Sequence, residues 1–383
     1  MKALYYHGLD QVFEQPREFE VTDVPIPEIS DDQVLIKVSL CGMLSLRTGT
    51  QRSLNADEHQ VLAVLICTCE VFSAVLEIPN DQALDRKENS SPNFLRLIPG
   101  HEVVGVIEKV GRSVTEFSPG DRCVADNSIT CEHCFYCRRG NPLLCENFAS
   151  RGVTMAGGFA EYVAFEAKKV YKIHNLTDEE ATLVEPAACA IHGMDRLNAA
   201  VGIDALIIGA GPTGLILAQL LKLNGAAKVV IAANKGIKTQ VAKDLDAGDV
   251  YIELDRDNPG PQWRQLKDDN PYGFDVVIEA TGSAGVANEA INYVRRGGTL
   301  MIYGVYSNDA LVHWSPAQIF SNEIRIVGSF AQVLCFPRAV AYLDSGKINV
   351  KGMVTDVFRL EDYDKVLEKM KDKSAVKIAV RPT

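Results

Sequence analysis

Four cysteines stand close together near the middle of the chain, with a spacing typical of a metal site. Cys131, Cys134 and Cys137 are separated by two residues each, and Cys145 follows after seven more. Tetrahedral zinc is commonly held by four thiolates, and closely spaced cysteines can wrap the ion without a large core. A site with four protein ligands leaves no room for substrate, so the pattern predicts a structural zinc. An iron–sulfur cluster and paired disulfides stay open as alternatives.

A second set of groups, far apart in the chain, could hold a reactive zinc. Cys41 ends one β-branched stretch, His101 and Glu102 open another, and Glu185 comes just before a region of alternating strands and helices. Thiolate, imidazole and carboxylate ligands can leave zinc an open position, where it polarises an alcohol so that hydride passes to a nicotinamide. A lone buried cysteine is usually a small hydrophobic residue, so the spacing by itself does not establish this set.

A glycine-rich turn in the C-terminal half predicts a dinucleotide site. Residues 205–214 contain the pattern Gly-x-Gly-x-x-Gly at Gly209, Gly211 and Gly214, between a predicted strand and a predicted helix. The first glycine permits the tight turn, the second admits a pyrophosphate, and the third lets strand and helix pack closely. The alternative is a glycine turn without a ligand, which this strand–helix context disfavours.

The end of the next predicted strand favours NADP over NAD. An acidic residue that would bind the ribose 2′-hydroxyl of NAD is expected there, but the position is Ala233. Asn234, Lys235 and Lys238 follow, and lysines attract a 2′-phosphate that a carboxylate would repel. The alternative is that these lysines form the solvated start of a helix.

The elements that must position these groups form two kinds of region. Up to about residue 190 the chain reads as short strands joined by glycine turns, which indicates a β-rich body. From residue 191, strands alternate with helices, which predicts a parallel sheet covered on both faces and an α/β fold class. The predicted strands lie at residues 205–208, 228–232, 274–279 and 299–303, and the predicted helices at 212–223, 239–246 and 285–294.

Composition excludes several classes of function. The 383 residues carry a net charge of −11, which disfavours nucleic acid as a partner because phosphate binding needs a basic surface. Residues 1–10 have no secretory pattern. The most apolar stretch, residues 61–76, is shorter than a membrane span and contains Glu70, so no membrane association is expected. The 10 cysteines then indicate metal binding in a reducing, cytoplasmic compartment.

Several runs resemble one known family. Residues 100–114, GHEVVGVIEKVGRSV, resemble the zinc signature of the medium-chain alcohol dehydrogenases. The four-cysteine segment, the run EPAACAIHG at residues 185–193 and the GAGPTG turn are similar to the polyol branch of that family. Residues 232–238, AANKGIK, are most similar to its members that oxidise D-arabinitol. The resemblance covers residues 1–42 and roughly 93–383.

The resemblance implies a fold and a set of ligands. It implies a GroES-like catalytic domain over residues 1–190 with a zinc lobe at 123–147, a Rossmann domain over 191–325 that binds NAD(P), and a return to the catalytic domain over 326–383. It implies that Cys41, His101 and Glu185 bind a catalytic zinc, directly or through water, with Glu102 as an exchangeable fourth ligand, and that Cys131, Cys134, Cys137 and Cys145 bind a structural zinc. It also implies a homo-dimer or homo-tetramer.

One segment departs from the family. Family members continue after Cys-Gly with a Cys-Gly-Thr-Asp stretch and a nearby His that passes the alcohol proton to solvent, whereas residues 43–49 read MLSLRTG. The whole run 43–92 is longer than the family link, and the resemblance returns abruptly on its far side. We hypothesise that this segment is translated non-coding sequence or a misjoined gene model, which sequencing of the mature transcript would decide.

Three functions are therefore weighed. The leading expectation is a zinc- and NADP-dependent oxidoreductase that interconverts a small polyol or alcohol and its ketose. The second is an inactive relative that keeps zinc and NADP binding, favoured by the missing proton relay of segment 43–92. The third, a zinc-free quinone reductase of the same fold, is disfavoured by the four cysteines and by the Gly-His-Glu run.

Overall fold

The computed structural model describes residues 1–6, 19–43 and 97–382. Nearly all of the atypical segment 43–92, including the apolar stretch 61–76, lies outside the described residues, and so do the predictions made for it. Among the described residues, no helix is long and apolar enough to cross a membrane.

The N-terminal half is built mainly of strands. They are β1 (Lys2–Tyr6), β2 (Phe19–Asp23), β3 (Gln33–Met43), β4 (Glu102–Val110), β5 (Arg122–Ala125), β6 (Ser128–Ile129), β7 (Ala149–Ser150), β8 (Tyr162–Glu166) and β9 (Val170–Lys172). Two short helices accompany them, α1 (Phe135–Arg138) and α2 (Asp178–Ala181).

The C-terminal half alternates strands and helices, as predicted. Its strands are β10 (Asp204–Ile208), β11 (Lys228–Asn234), β12 (Val250–Leu254), β13 (Phe274–Glu279), β14 (Val294–Ile302), β15 (Arg325–Gly328), β16 (Val354–Arg359) and β17 (Lys377–Arg381). Its helices are α3 (Val184–Leu197), α4 (Pro212–Leu223), α5 (Ile237–Asp244), α6 (Gly260–Asp269), α7 (Ala284–Ala290), α8 (Pro316–Ser321), α9 (Phe336–Asp344) and α10 (Tyr363–Asp372).

Two large sheets divide the molecule. The first has seven strands in the order β16-β17-β3-β4-β5-β9, with β8 paired to β3. The second is a six-stranded sheet in the order β12-β11-β10-β13-β14-β15, and every neighbouring pair in it is parallel. The predicted α/β fold class with a β-rich body and a doubly wound parallel sheet is confirmed.

The chain passes between the two sheets at two places. Residues 190–191 lie inside α3, which packs with α4 in a shared apolar core. Residues 326–328 belong to β15 of the six-stranded sheet, and the chain rejoins the first sheet with β16 and β17. In that sheet β17 pairs with β3, where Ile378 faces Met43. The domain limits after residues 190 and 325 stay predictions.

A buried ion pair fastens this returning strand to the β-rich body. The ammonium group of Lys377 on β17 contacts the carboxylate of Glu102 at the start of β4, 275 residues away in sequence. Their side chains are 1% and 0% exposed. Breaking such a pair leaves an uncompensated charge in the interior.

Replacing Lys377 with Met is therefore expected to destabilise the protein by about 3–5 kcal/mol, because Glu102 would lose its cation. The double variant Lys377→Met with Glu102→Gln should recover much of that loss. Urea unfolding of the zinc-loaded protein measures both values.

Lys365→Met is the matched control, because Lys365 pairs with Asp362 2.7 Å away while its side chain is 65% exposed. Solvent screens such a surface pair, so its loss should change the unfolding midpoint little. Equal losses in the two single variants would contradict the role given to the buried pair.

Candidate active site and zinc sites

The predicted metal ligands of the β-rich body come together at the junction with the parallel sheet. His101 directly precedes β4, Glu102 is its first residue, and Glu185 lies in the first turn of α3. One ligand atom from each of these three residues lies within 4.8 Å of the others. Pairing of β4 with β3 holds Glu102, His101 is its direct neighbour in the chain, and the helix that begins at Val184 brings Glu185 to them.

The electrostatics of this group favour a bound cation. Burial, together with the neighbouring Glu102, raises the pKa of Glu185 to about 8. Burial also lowers the pKa of His101, which keeps its imidazole neutral and able to coordinate. A divalent ion compensates two buried carboxylates, and imidazole with carboxylate is a donor set that zinc accepts. The residues present thus fit a zinc ion.

Cys41 lies near this group but outside the set of three ligand atoms. In the antiparallel pair of β3 and β4, Gly42 faces Glu102 and Cys41 faces Val103. The thiol of Cys41 is buried and packs with Val103 and Phe159 in the apolar core of the β-rich body. Among the described residues, the ligand atoms within 4.8 Å of one another are those of His101, Glu102 and Glu185. Cys41 as a further zinc ligand stays a prediction.

The four predicted structural ligands do converge. The thiols of Cys131, Cys134, Cys137 and Cys145 all lie within 4.8 Å of one another. Backbone N–H groups point at the sulfurs: those of Cys134 and Cys131 donate to Cys131 and Cys145, both at 3.3 Å. All four are free thiols rather than disulfides. This arrangement fits a closed tetrahedral zinc.

Hydrogen bonding prepares at least one of these thiols for a metal. Burial works against ionisation of Cys131, but hydrogen bonds from the backbone of His133 and from other donors lower the pKa of this thiol to about 6. The thiolate is the form that binds zinc, so part of the proton release needed for metal binding is already favoured near neutral pH.

A third group, which the sequence did not indicate, is better explained as an ion-pair cluster. Ligand atoms of His192, Asp195 and Cys335 also lie within 4.8 Å of one another. The guanidinium of Arg338 donates to Asp195 at 2.9 Å and to the sulfur of Cys335 at 3.2 Å. A cation already neutralises this cluster, so we do not assign a metal to it.

The glycine turn has the predicted strand–turn–helix setting, and its three glycines differ in what they require. Gly209 has a φ of +119°, and a side chain at Gly214 would lie 2.2 Å from the carbonyl oxygen of Gly209. The fold itself therefore requires glycine at positions 209 and 214. Gly211, the N-cap of α4, has an ordinary φ of −74° and open space where a side chain would be. The fold thus leaves room for a side chain at this position, a glycine keeps that room free for a bound group, and the helix N-terminus beside it favours a phosphate.

The end of β11 has the composition predicted for a 2′-phosphate site. Ala233 pairs with Glu253 of β12, and the carboxylate of Glu253 is engaged by Thr239 and by Lys243, both at 3.0 Å. Asn234 ends β11, exposed Lys235 follows, and Lys238 lies in the first turn of α5. The carboxylate of Glu253 is thus occupied by neighbouring side chains, while Lys235 and Lys238 lie close to the end of β11.

Lys377 is a site residue that sequence reasoning missed. Its ammonium group holds the carboxylate of Glu102 beside the metal group. β17 pairs with β3, and β3 pairs with β4, so sheet pairing brings Lys377 to Glu102, 275 residues away in sequence. No local sequence pattern carries that information.

Comparison with known proteins identifies the class. The sequence model of the alcohol dehydrogenase GroES-like domain family matches residues 60–175. The sequence model of the zinc-binding dehydrogenase family matches residues 212–345. The chain is 51% identical over 382 residues to D-arabinitol dehydrogenase 1 of Uromyces fabae, covering 100% of this chain and 97% of that protein. It is 36% identical to D-altritol 5-dehydrogenase of Agrobacterium fabrum, over 65% of this chain and 72% of that protein.

A solved structure agrees in fold over the whole length. A protein from Sinorhizobium meliloti 1021, described as a zinc-binding dehydrogenase bound to NADP, superposes with a TM-score of 0.78 at 26% identity, covering 100% of this chain and 99% of that one. The chain belongs to the zinc-binding dehydrogenase family, with a GroES-like domain and a Rossmann domain. It is an oxidoreductase of that class, and neither the inactive nor the zinc-free alternative gains support from these comparisons.

The metal assignments predict distinct zinc contents. Zinc-loaded wild type should hold about two ions per chain, and His101→Ala about one, with loss of activity. Cys145→Ser should lose the other ion. Elemental analysis of dialysed protein measures these values. His192→Ala is the control and should keep both ions, because Arg338 already fills that cluster; a lost zinc in this variant would refute the ion-pair interpretation.

Substitutions in the glycine-rich turn should affect NADP binding and protein stability separately. Gly211→Asp should leave the melting temperature unchanged, because the fold has space for it, yet weaken NADP binding by more than about tenfold by excluding the pyrophosphate. Gly214→Ala should instead lower the melting temperature, because its side chain meets backbone. Fluorescence titration and thermal unfolding measure the two effects, and undiminished NADP affinity in Gly211→Asp would rule out this turn as the cofactor site.

Proposed function

We propose that the protein oxidises a polyol to the corresponding ketose with NADP, using zinc bound by His101, Glu102 and Glu185. The observation that carries this proposal is the position of the metal group beside the parallel sheet. Glu185 and Gly193 lie on the same helix, α3, and the ring of Tyr303, just after β14, lies 3.0 Å from where a side chain of Gly193 would be. Dinucleotides bind at the carboxyl ends of such strands.

The residues of the chain would divide the work as follows. Zinc supplies a Lewis acid for the alcohol hydroxyl, and NADP supplies the hydride acceptor. His101 and Glu185 would hold the metal, the first beside β4 and the second from α3. Lys377 would keep the carboxylate of Glu102 in place, and Gly211 would admit the pyrophosphate to the N-terminus of α4. Glu102 and Lys377 are buried, which strengthens the electrostatic interaction between them.

The relatives support a polyhydroxylated substrate. The two relatives described above are named for D-arabinitol and D-altritol, both sugar alcohols. Ala233, Lys235 and Lys238 favour NADP, and the solved bacterial dehydrogenase was crystallised with NADP bound.

The decisive experiment is a rate assay of the zinc-loaded protein with D-arabinitol, sorbitol and xylitol, each with NADP and with NAD. We expect formation of a ketose, with a higher kcat/KM for NADP than for NAD. Absence of oxidation with every polyol would overturn the proposed reaction. A preference for NAD would overturn only the cofactor assignment.

We propose further that the protein is a homo-dimer or homo-tetramer in the cytoplasm. The edge strand β15 of the parallel sheet presents partly exposed residues, and Leu311 and Phe320 nearby are 72% and 85% exposed. Exposed apolar side chains beside an unpaired edge are typical of subunit contacts. The thiols of the four-cysteine site need a reducing compartment. Light scattering of the purified protein measures its mass, and a monomer would contradict the first part.

We also propose that segment 43–92 is an atypical insertion between β3 and β4. The match to the GroES-like domain begins at residue 60, inside this segment, while the match to the Uromyces relative runs along the whole chain. Sequencing the mature transcript decides whether the segment is translated.

A further inference from the structure

Two residues that carry hydroxyl groups, Tyr303 and Ser329, lie against the helix that supplies Glu185 to the metal group. A side chain built on Gly193 of α3 would lie 3.0 Å from the ring of Tyr303 and 3.5 Å from the hydroxyl oxygen of Ser329. Both residues therefore contact the same bare patch of the helix that carries Glu185.

Sheet topology makes these two residues neighbours. Tyr303 is the first residue after β14, and Ser329 is the first after β15. The last residues of these two strands, Ile302 and Gly328, are paired in parallel register. The backbone N–H of Ser329 donates to Ile302 at 3.2 Å. Carboxyl ends of neighbouring parallel strands are where α/β proteins bind their ligands.

Both hydroxyl oxygens are buried and lack a hydrogen-bond partner among the described residues. Buried polar atoms in native proteins nearly always have partners, and an unpaired one is costly. A pair of such hydroxyls on one side of a site therefore indicates groups arranged for a ligand that supplies the missing bonds.

The surroundings of Tyr303 keep its hydroxyl available as a donor. Burial, with added repulsion from Cys189 and Glu185, raises the pKa of the phenol well above its ordinary value. Cys189 lies one helical turn after Glu185, and its thiol is 3.4 Å from that carboxylate. The phenol of Tyr303 is thus neutral, and it lies close to the metal group.

We propose that Tyr303 and Ser329 form a hydroxyl clamp that binds a second hydroxyl of the substrate, away from the carbon being oxidised. The clamp selects polyols over simple alcohols, and this inference rests on the polyol reaction proposed above. A substrate hydroxyl both donates and accepts, so it can satisfy both protein hydroxyls together. Sites built to bind a hydroxyl discriminate strongly against analogues that lack it.

The test compares Tyr303→Phe and Ser329→Ala with wild type, using D-arabinitol and 2-butanol as substrates. Each variant should lower kcat/KM for D-arabinitol about tenfold, as expected for loss of one hydrogen bond, and leave 2-butanol oxidation unchanged. NADP affinity, measured by fluorescence titration, should also stay unchanged. Calorimetric binding of D-arabinitol to the enzyme–NADPH complex gives a readout that does not depend on turnover.

Tyr363→Phe and Ser374→Ala are matched controls. Each removes another buried hydroxyl that is unpaired among the described residues, but Tyr363 packs in the core of the β-rich body and Ser374 follows α10. Both should keep the wild-type preference for D-arabinitol over 2-butanol.

Three results would overturn the clamp: equal losses on both substrates, unchanged D-arabinitol kinetics and binding, or weakened NADP binding, which would assign the hydroxyls to the cofactor. Failure of the wild type to bind or oxidise any polyol would instead overturn the proposed reaction, and the clamp with it. The wild-type measurement therefore separates the two failures.

Discussion

Two carboxylates that lie close together, the buried one of Glu102 and the half-buried one of Glu185, are the constraint on which the rest of the site depends. Buried charges must be paired, and here the chain supplies one cation, Lys377, while the geometry fits a metal as the second. Because Lys377 belongs to β17, the C-terminal strand has to return to the first sheet to complete the site. Correct folding of β17 is thus needed to place Lys377 beside Glu102 and so to complete the metal group.

The seam between the two sheets combines several functions in one helix. α3 carries Glu185 to the metal group. It has no side chain at Gly193, where the ring of Tyr303 and the hydroxyl group of Ser329 lie close to it. It also packs against α4, the helix that follows the glycine turn. The four-cysteine lobe adds support from the other side, because its apolar residues pack against Phe330, next to Ser329. Packing of the four-cysteine lobe thereby helps to position the chain around Ser329.

The limits of several helices and strands were predicted correctly from local sequence pattern. Where a predicted limit was wrong, the cause is physical. The helix α4 and the strand β13 have the predicted limits, because glycine, proline and apolar runs mark them locally. The helix predicted over residues 285–294 ends at Ala290, and Val294 already belongs to β14, because pairing with β13 outweighs the helical pattern. Cys41 lies just outside the group of three ligand atoms, and local pattern cannot settle its position, because a shift of one residue along a strand moves a side chain to the other face.

Sequence alone determined what depends on short-range spacing: the four-cysteine cluster, the Gly-x-Gly-x-x-Gly turn, the His-Glu pair and the lysines after Ala233. Such motifs are read locally because their members are held by the same turn or strand end. Only tertiary structure decided which distant groups meet. It brought Glu185 to His101 and Glu102, brought Lys377 to Glu102 and placed Tyr303 beside Ser329. Sheet register and helix docking determine such long-range proximity and leave no local pattern in the sequence.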